Sequence, residues 1–282
     1  MKKSVKELLA LSGTAGVTKQ DCEWLLCSLF SCNKSELYWK NFFADEKQLR
    51  KFSRWVKKRS QGFPLQYITG VAPFYGRDFL VNNSVLIPRP ETEVLLEILV
   101  REGDSVGEKL KVLDVGTGSG AIAVSAKLER PHWQVHGSDV SKKALSIAKK
   151  NALIHGVRLK WYHSDLLKKI HKNYYDIIVS NPPYLNKKKD FVADDVKKFE
   201  PGIALFPMQK DKTKIKDSGA WLADKLISQA ITGSRPPKKI LLELSPRVAR
   251  RLEKKWSRNV VIKNISRKSD LSGRMRFLLI AL

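Results

Sequence analysis

Residues 174 to 185 read YYDIIVSNPPYL. Asp176 to Ser180 is apolar and β-branched enough for a buried strand, yet it runs directly into Asn181-Pro182-Pro183-Tyr184. Two prolines remove two successive backbone donors and fix φ at both positions, so the chain must leave the sheet there with carbonyls that no ladder uses. Those carbonyls have a chemical use. A planar amide or aryl amine is a poor nucleophile because its nitrogen lone pair is delocalised. The Asn181 side-chain oxygen and the Pro182 carbonyl can each accept one N–H of such an NH2 group, while Tyr184 packs flat on its plane. A site of this kind works by orientation and by favouring positive charge on nitrogen, and needs no nucleophilic residue or metal.

Three other strand ends carry telling residues, and in an open parallel sheet ligands bind at the carboxyl ends of strands. In VLDVGTGSGAIA, Gly116, Gly118 and Gly120, with Thr117 and Ser119 between them, let the backbone turn tightly and approach a ligand at a helix N-terminus. Dinucleotide folds place G-x-G-x-x-G at the same point. Here the spacing is G-x-G-x-G after Asp114, which resembles the S-adenosylmethionine loop of class I methyltransferases. Asp139 in VHGSDVS can accept both hydroxyls of a ribose, which excludes a 2′-phosphate but not NAD. Asp165 in YHSDLL can face the exocyclic amine of adenine. Any one of these aspartates alone reads as a turn or cap residue, whereas three in order at strand ends point to a nucleoside site.

Positioning these ends requires strands that alternate with helices. The pattern predicts strands at Lys111–Val115, Gln134–Gly137, up to Ser180, and Lys239–Leu244, with helices over Ala121–Leu128, Lys142–Ala152 and Trp221–Ile231. Two last strands are expected at Val260–Ile265 and Phe277–Leu282. Such alternation implies a mostly parallel sheet covered on both faces. Upstream, Val5, Leu8, Leu9, Trp24, Leu25 and Leu29 recur at helical spacing, with Asn33 or Ser35 available as a cap before Glu36. Phe74-Tyr75 and Phe79-Leu80-Val81 flank Gly76-Arg77-Asp78 as a hairpin. The expected organisation is a helical domain over 1–62, a β-hairpin linker over 63–90 and an α/β domain over 91–282.

The formal net charge of +25 on 282 residues points to a polyanionic neighbourhood such as nucleic acid, the ribosome or an acidic partner protein, with a merely solvated surface as the alternative. Short basic runs occur at Lys57–Arg59 and Lys187–Lys189. Cys22, Cys27 and Cys32 fall on different sides of a helix and make no zinc or disulfide pattern, and the five histidines show no metal-ligand spacing. No metal is expected. No apolar run reaches membrane-spanning length and no signal core follows Met1-Lys2-Lys3, so a monomer in a reducing cytoplasm is expected.

Over nearly its full length the chain resembles the release-factor glutamine methyltransferases, the PrmC/HemK family. The matching segments are LQYITG at 65–70, VLIPRPETE at 85–93, DVGTGSGAIA at 114–123, SNPPYL at 180–185, EPGIALF at 200–206 and DLSGRMR at 270–276. The resemblance implies the seven-stranded class I methyltransferase sheet with its last strand antiparallel, preceded by a small helical domain that grips the substrate. It also implies N5-methylation of the glutamine in the Gly-Gly-Gln motif of class 1 peptide chain release factors, with S-adenosylmethionine as cofactor. Carried over, Gly116 to Gly120 and Asp139 would hold the cofactor, Leu166 would line its adenine, and Asn181, Pro182, Pro183 and Tyr184 would hold the substrate glutamine, with Asn181 also near the cofactor.

The chain departs from the family at Leu166, where a tryptophan is common, and after EPGIALF, where a lysine-rich segment over 207–217 replaces a Gly-Gly-x-Asp-Gly turn. Ser245-Pro246 stands where a glycine is common. Two rival readings use the same residues: an adenine N6 methyltransferase acting on a flipped base, and a cofactor-binding assembly factor without catalysis.

Overall fold

Apolar residues alternate across the strands of the main sheet. Val112, Ile177, Val179, Leu241, Phe277 and Leu279 enter one buried cluster, while Leu113, Val115, Ile178, Ile240, Leu242, Leu278 and Ile280 enter another. Strands this apolar must be covered on both faces. The helices Pro90–Asp104, Ala121–Glu129 and Lys142–Ile154 supply residues to the first cluster, and Ser218–Ile231 and Pro246–Trp256 to the second.

The computed structural model describes residues 2–13, 16–170, 174–186, 190–207, 218–233 and 235–282. Lys187–Lys189, the lysines between 210 and 216, His171 and nearly all of the 207–217 segment lie outside the described residues. The chain divides into two compact units, Met1–Val71 with Ala193–Phe199, and Ala72–Val192 with Glu200–Leu282.

In the larger unit the sheet strands are β1 (Lys111–Val115), β2 (Gln134–Asp139), β3 (Lys160–His163), β4 (Ile177–Ser180), β5 (Lys239–Glu243), β6 (Asn264–Ser269) and β7 (Met275–Ala281). Their order is β6-β7-β5-β4-β1-β2-β3. The first five pair in parallel and β7 runs antiparallel to both its neighbours, as the family resemblance implies. Strand order reverses between β1 and β4, which places a ligand crevice at their carboxyl ends.

The smaller unit packs Leu8, Leu25, Leu26, Leu37 and Phe52 inside its helices. Of the two candidate caps, Asn33 is the one used: it accepts from Glu36 N at 2.9 Å, and Glu36 returns a bond to Asn33 N at 3.1 Å. No disulfide joins Cys22, Cys27 or Cys32 among the described residues. Within this unit the Phe63 and Phe199 rings meet at 4.2 Å, which ties Ala193–Phe199 to it.

Two local expectations need correction. The hairpin turns at Tyr75-Gly76, because a two-residue turn of the favoured hand needs φ > 0 at both positions and these have φ of 51° and 69°. Arg77 is thereby freed to enter a strand and pair with Glu129 at 2.8 Å. The penultimate strand starts at Asn264 rather than Val260, since Val260 is 99% exposed and Asn259 folds back on Val261 N at 3.0 Å. The edge strand β6 is instead polar, carrying Arg267 and Lys268, a composition that discourages further edge pairing. Ser245-Pro246 opens a helix: Ser245 caps it and Pro246 occupies its first turn.

Candidate active site

The loop after β1 is tied to the end of β2, since Gly116 N and Thr117 N both donate to Ser138 O at 2.8 and 2.9 Å. Gly120 has φ of +82°, and a Cβ there would lie 3.1 Å from Ala148 Cβ, so glycine is what lets the loop enter its helix against the helix Lys142–Ile154. Gly116, with φ of +73°, is different: a Cβ there would meet nothing within 4 Å, because the loop faces open space.

That space is a cavity of about 670 Å³. Its lining gathers Gly116 to Ser119, Asp139, Asp165, Leu166, Asn181, Pro182 and Pro183. Residues singled out at four strand ends thus meet in one place. Gly120 and Tyr184 are not in the lining. Gly120 packs behind the loop, and Tyr184 packs against the second apolar cluster.

Asp139 accepts from Gly118 N at 3.0 Å through Oδ2 and from Ser141 N at 2.8 Å through Oδ1. Each oxygen keeps a further lone pair. Burial pushes its carboxyl above the usual range, with the backbone donors at Ser141 and Gly118 opposing the shift. Asp114, 1% exposed beneath the loop, accepts from Thr117 Oγ1 at 2.6 Å, and its Oδ1 has no partner among the described residues. Burial, opposed by the Thr117 bond, pushes this carboxyl up to about 7.

Asp165 is ion-paired. Lys168 Nζ lies 2.6 Å from its Oδ2 and Lys225 Nζ 3.6 Å from the same oxygen, and the Lys168 hydrogen bond is what lowers its pKa most. Leu166 follows with a left-handed backbone, φ of 51°, and is 7% exposed. The glycine loop, the paired acceptors of Asp139 and the apolar Leu166 are the donor and contact set that S-adenosylmethionine requires, so the residues fit that cofactor.

At the end of β4, Ser180 Oγ donates to Val115 O at 2.6 Å, which joins β4 to β1 above the last ladder bond. Asn181 Nδ2 donates to Thr92 Oγ1 at 3.0 Å, and Thr92 Oγ1 donates to Glu243 Oε2 at 2.8 Å. Neither Asn181 Oδ1 nor the Pro182 carbonyl accepts a hydrogen bond among the described residues. Burial, opposed mainly by the Thr92 bond, pushes the Glu243 carboxyl up to about 7. Burial, reinforced by the charge of Glu243, raises the Tyr184 phenol.

Thr92 and Glu243 are the residues that reading along the chain did not single out for chemistry. The signal was present in the PRPETE segment, which turns out to be held by EPGIALF: Arg89 pairs with buried Glu200, and Ile87 N donates to Glu200 Oε2 at 3.3 Å. In DLSGRMR, Asp270 accepts from Ser272 N, Arg274 N and Arg276 Nε, at 2.9, 2.9 and 2.8 Å. Burial would raise this carboxyl, but the donors, Ser272 first, hold it down at about 2.

Two family models match the chain, the PrmC N-terminal domain over residues 3–70 and the Methyltransferase small domain over residues 90–200. The chain is similar to the release factor glutamine methyltransferase of Lactococcus lactis subsp. lactis, 35% identical over 262 residues that cover 92% of each chain. It is 38% identical over 215 residues to the protein of the same name from Enterococcus faecalis, covering 76% of this chain and 74% of that one. Among solved structures, a methyltransferase from Pyrococcus furiosus shares the fold with a TM-score of 0.52 at 15% identity, over 74% of this chain and 90% of that one. Among the described residues no helix is long and apolar enough to cross a membrane, and no cluster of His, Cys, Asp or Glu could hold a metal ion.

Proposed function

The chain belongs to the release factor glutamine methyltransferase family, and we propose that it methylates N5 of the glutamine in the Gly-Gly-Gln motif of class 1 peptide chain release factors, with S-adenosylmethionine as cofactor. The observation that carries this reading is that the glycine loop and the Asn181-Pro182-Pro183 turn open onto one cavity. When bound, S-adenosylmethionine supplies a methyl group made electrophilic by the sulfonium it is attached to.

The residues of this chain do the rest. Gly116 to Ser119 bring backbone close to the cofactor, with Gly120 packed behind them, and Asp139 accepts its ribose hydroxyls through the lone pairs left by the Gly118 and Ser141 bonds. Leu166 gives the adenine an apolar contact. Both lysines reach Asp165 through Oδ2, so Oδ1 is left for the adenine amine. Asn181 Oδ1 and the Pro182 carbonyl each accept one N–H of the substrate amide, which fixes its nitrogen toward the cofactor and favours positive charge there. Pro183 walls the other side of the amide plane, while Tyr184 anchors the turn by packing against the second apolar cluster.

The helical domain over 1–62 recognises the release factor, and the domain over 91–282 carries the chemistry. The enzyme acts as a monomer in the cytoplasm, and its charge of +25 draws it toward polyanions, the ribosome among them. The test is incubation with methyl-labelled S-adenosylmethionine and either a class 1 release factor or structured RNA. Label on the Gly-Gly-Gln glutamine is expected. Label on RNA adenine instead would refute the substrate assignment, and label on neither would refute catalysis.

A further inference from the structure

A half-turn of the Asn181 side chain would exchange its oxygen and its NH2, and only one of the two arrangements presents an acceptor to a substrate amide. The surrounding hydrogen bonds decide between them. Glu243, at the end of β5 and 2% exposed, faces Thr92 with its Oε2 2.8 Å from Thr92 Oγ1. A carboxylate oxygen can only accept, so it takes the single hydroxyl proton of Thr92. Thr92 Oγ1 is then left to accept. What it accepts, at 3.0 Å, must come from the Asn181 NH2, and Oδ1 is turned away from Thr92.

We propose that Thr92 and Glu243 are positioning residues for the methyl transfer: this one-way chain of donors locks the Asn181 amide with Oδ1 facing the substrate. The proposal rests on the function proposed above. A proton taken up by Glu243 can reside on Oε1 and still leave Oε2 as the acceptor. The three residues come from separate but fixed elements. Ser180 pairs with Leu242 in the β4–β5 ladder, so Asn181, the first residue past β4, stands beside Glu243, the last residue of β5, which is itself fixed by its pairing with Phe277 of β7. Thr92 is held in the first turn of the helix Pro90–Asp104, where Thr92 N donates to Arg89 O at 3.0 Å and Arg89 is itself paired to Glu200. In the flipped arrangement Oδ1 and Thr92 Oγ1 would face each other as two acceptors without a proton between them, which disfavours it.

The experiment compares Thr92→Val, which keeps the shape and removes the hydroxyl, with Thr92→Ser, which keeps the hydroxyl. Thr92→Ala, which adds no bulk, takes the place of the valine variant should that one misfold. Thr92→Val should lower kcat for release-factor methylation about 10- to 100-fold, leaving the affinity for S-adenosylmethionine within about twofold, and Thr92→Ser should recover most of the loss. In an Asn181→Ala background the Thr92→Val change should have no further effect, because the residue it acts through is gone. Nitrogen-15 spectra of the unliganded protein give a second readout: the Asn181 side-chain NH2 signal, assigned with Asn181→Ala, should show slowed hydrogen exchange in the wild type and in Thr92→Ser, and lose it in Thr92→Val. Wild-type kcat in Thr92→Val, an equal loss of kcat in both backgrounds, or unprotected Asn181 protons in the wild type would overturn the proposal. A wild type that transfers no methyl to a release factor counts against the substrate assignment, while the NMR readout still decides the positioning.

Discussion

Gly120 and Gly116 stand on the same loop with nearly the same backbone, yet adding one methyl group to each should have opposite consequences. Both have φ in the left-handed region, +82° and +73°, so alanine at either costs roughly 1–2 kcal/mol of backbone strain. At Gly120 the new Cβ would also lie 3.1 Å from Ala148 Cβ and 3.2 Å from Ala148 Cα, atoms that cannot rotate away. Overpacking of that kind adds roughly 1–3 kcal/mol, so Gly120→Ala should lose about 2–5 kcal/mol in total. At Gly116 no atom lies within 4 Å of the added Cβ, and strain alone, about 1–2 kcal/mol, should register in stability. There the methyl group enters the space proposed for the cofactor, and Gly116→Ala should weaken S-adenosylmethionine binding by at least about tenfold. Urea denaturation of the unliganded proteins at constant m-value measures the first quantity, and calorimetric titration of the cofactor the second. A smaller stability loss for Gly120→Ala than for Gly116→Ala, or wild-type affinity in Gly116→Ala, would refute the division of labour drawn from these contacts.

Asp139→Ala should weaken cofactor binding by roughly 1.5–3 kcal/mol, and because the carboxylate also holds Gly118 N and Ser141 N, the denaturation midpoint should fall as well; an unchanged affinity in the titration removes Asp139 from the ribose site. Asn181→Ala should lower kcat by about 10²–10³ while leaving Tm near wild type, and wild-type turnover on release factor would count against its role. Asp114 titrates at about 7 in the fold against an ordinary 3.8, so between those values the folded state binds more protons than the unfolded one and stability contributed by this group falls as pH rises. Asp114→Asn should therefore gain on the wild type steadily from pH about 4 to about 7 and level off above, as read from denaturation midpoints across that range; parallel curves would refute the burial of the charge.

Reading along the chain reached the glycine loop, Asp139 and the Asn-Pro-Pro-Tyr turn because each announces itself locally, through glycine spacing, a strand-end carboxylate or two prolines after a β-branched run. Thr92 and Glu243 carry no such local mark. Thr92 is 89 positions from Asn181 and 151 from Glu243, and only the pairing of Ser180 with Leu242 brings the last two together. Asp165 was legible as a strand-end carboxylate, but its partners Lys168 and Lys225 depend on the turn that follows it and on the docking of a distant helix. The hairpin was legible and its turn was not, because Tyr75 adopts a backbone that the residue type rarely takes. The edge strand β6 was misplaced for a simple reason: hydrophobicity marks buried strands, and an edge strand is allowed to be polar.

The placement of β7 has a consequence for synthesis on the ribosome. It lies between β5 and β6, antiparallel to both, although β6 precedes it in the chain. As the chain emerges, β6 is therefore available before any strand it can pair with, and β5 keeps one open edge until residues 275–281 have left the exit tunnel. Phe277 and Leu279 then fill one apolar layer, and Leu278 and Ile280 the other, in a single step. During that interval the nascent chain exposes an apolar strand edge of the kind that chaperones bind and that invites pairing between chains. A truncation that stops before β7 would make the interval permanent, and such chains should accumulate bound to chaperones or as aggregates even though every residue of the glycine loop and of the Asn-Pro-Pro-Tyr turn has been made.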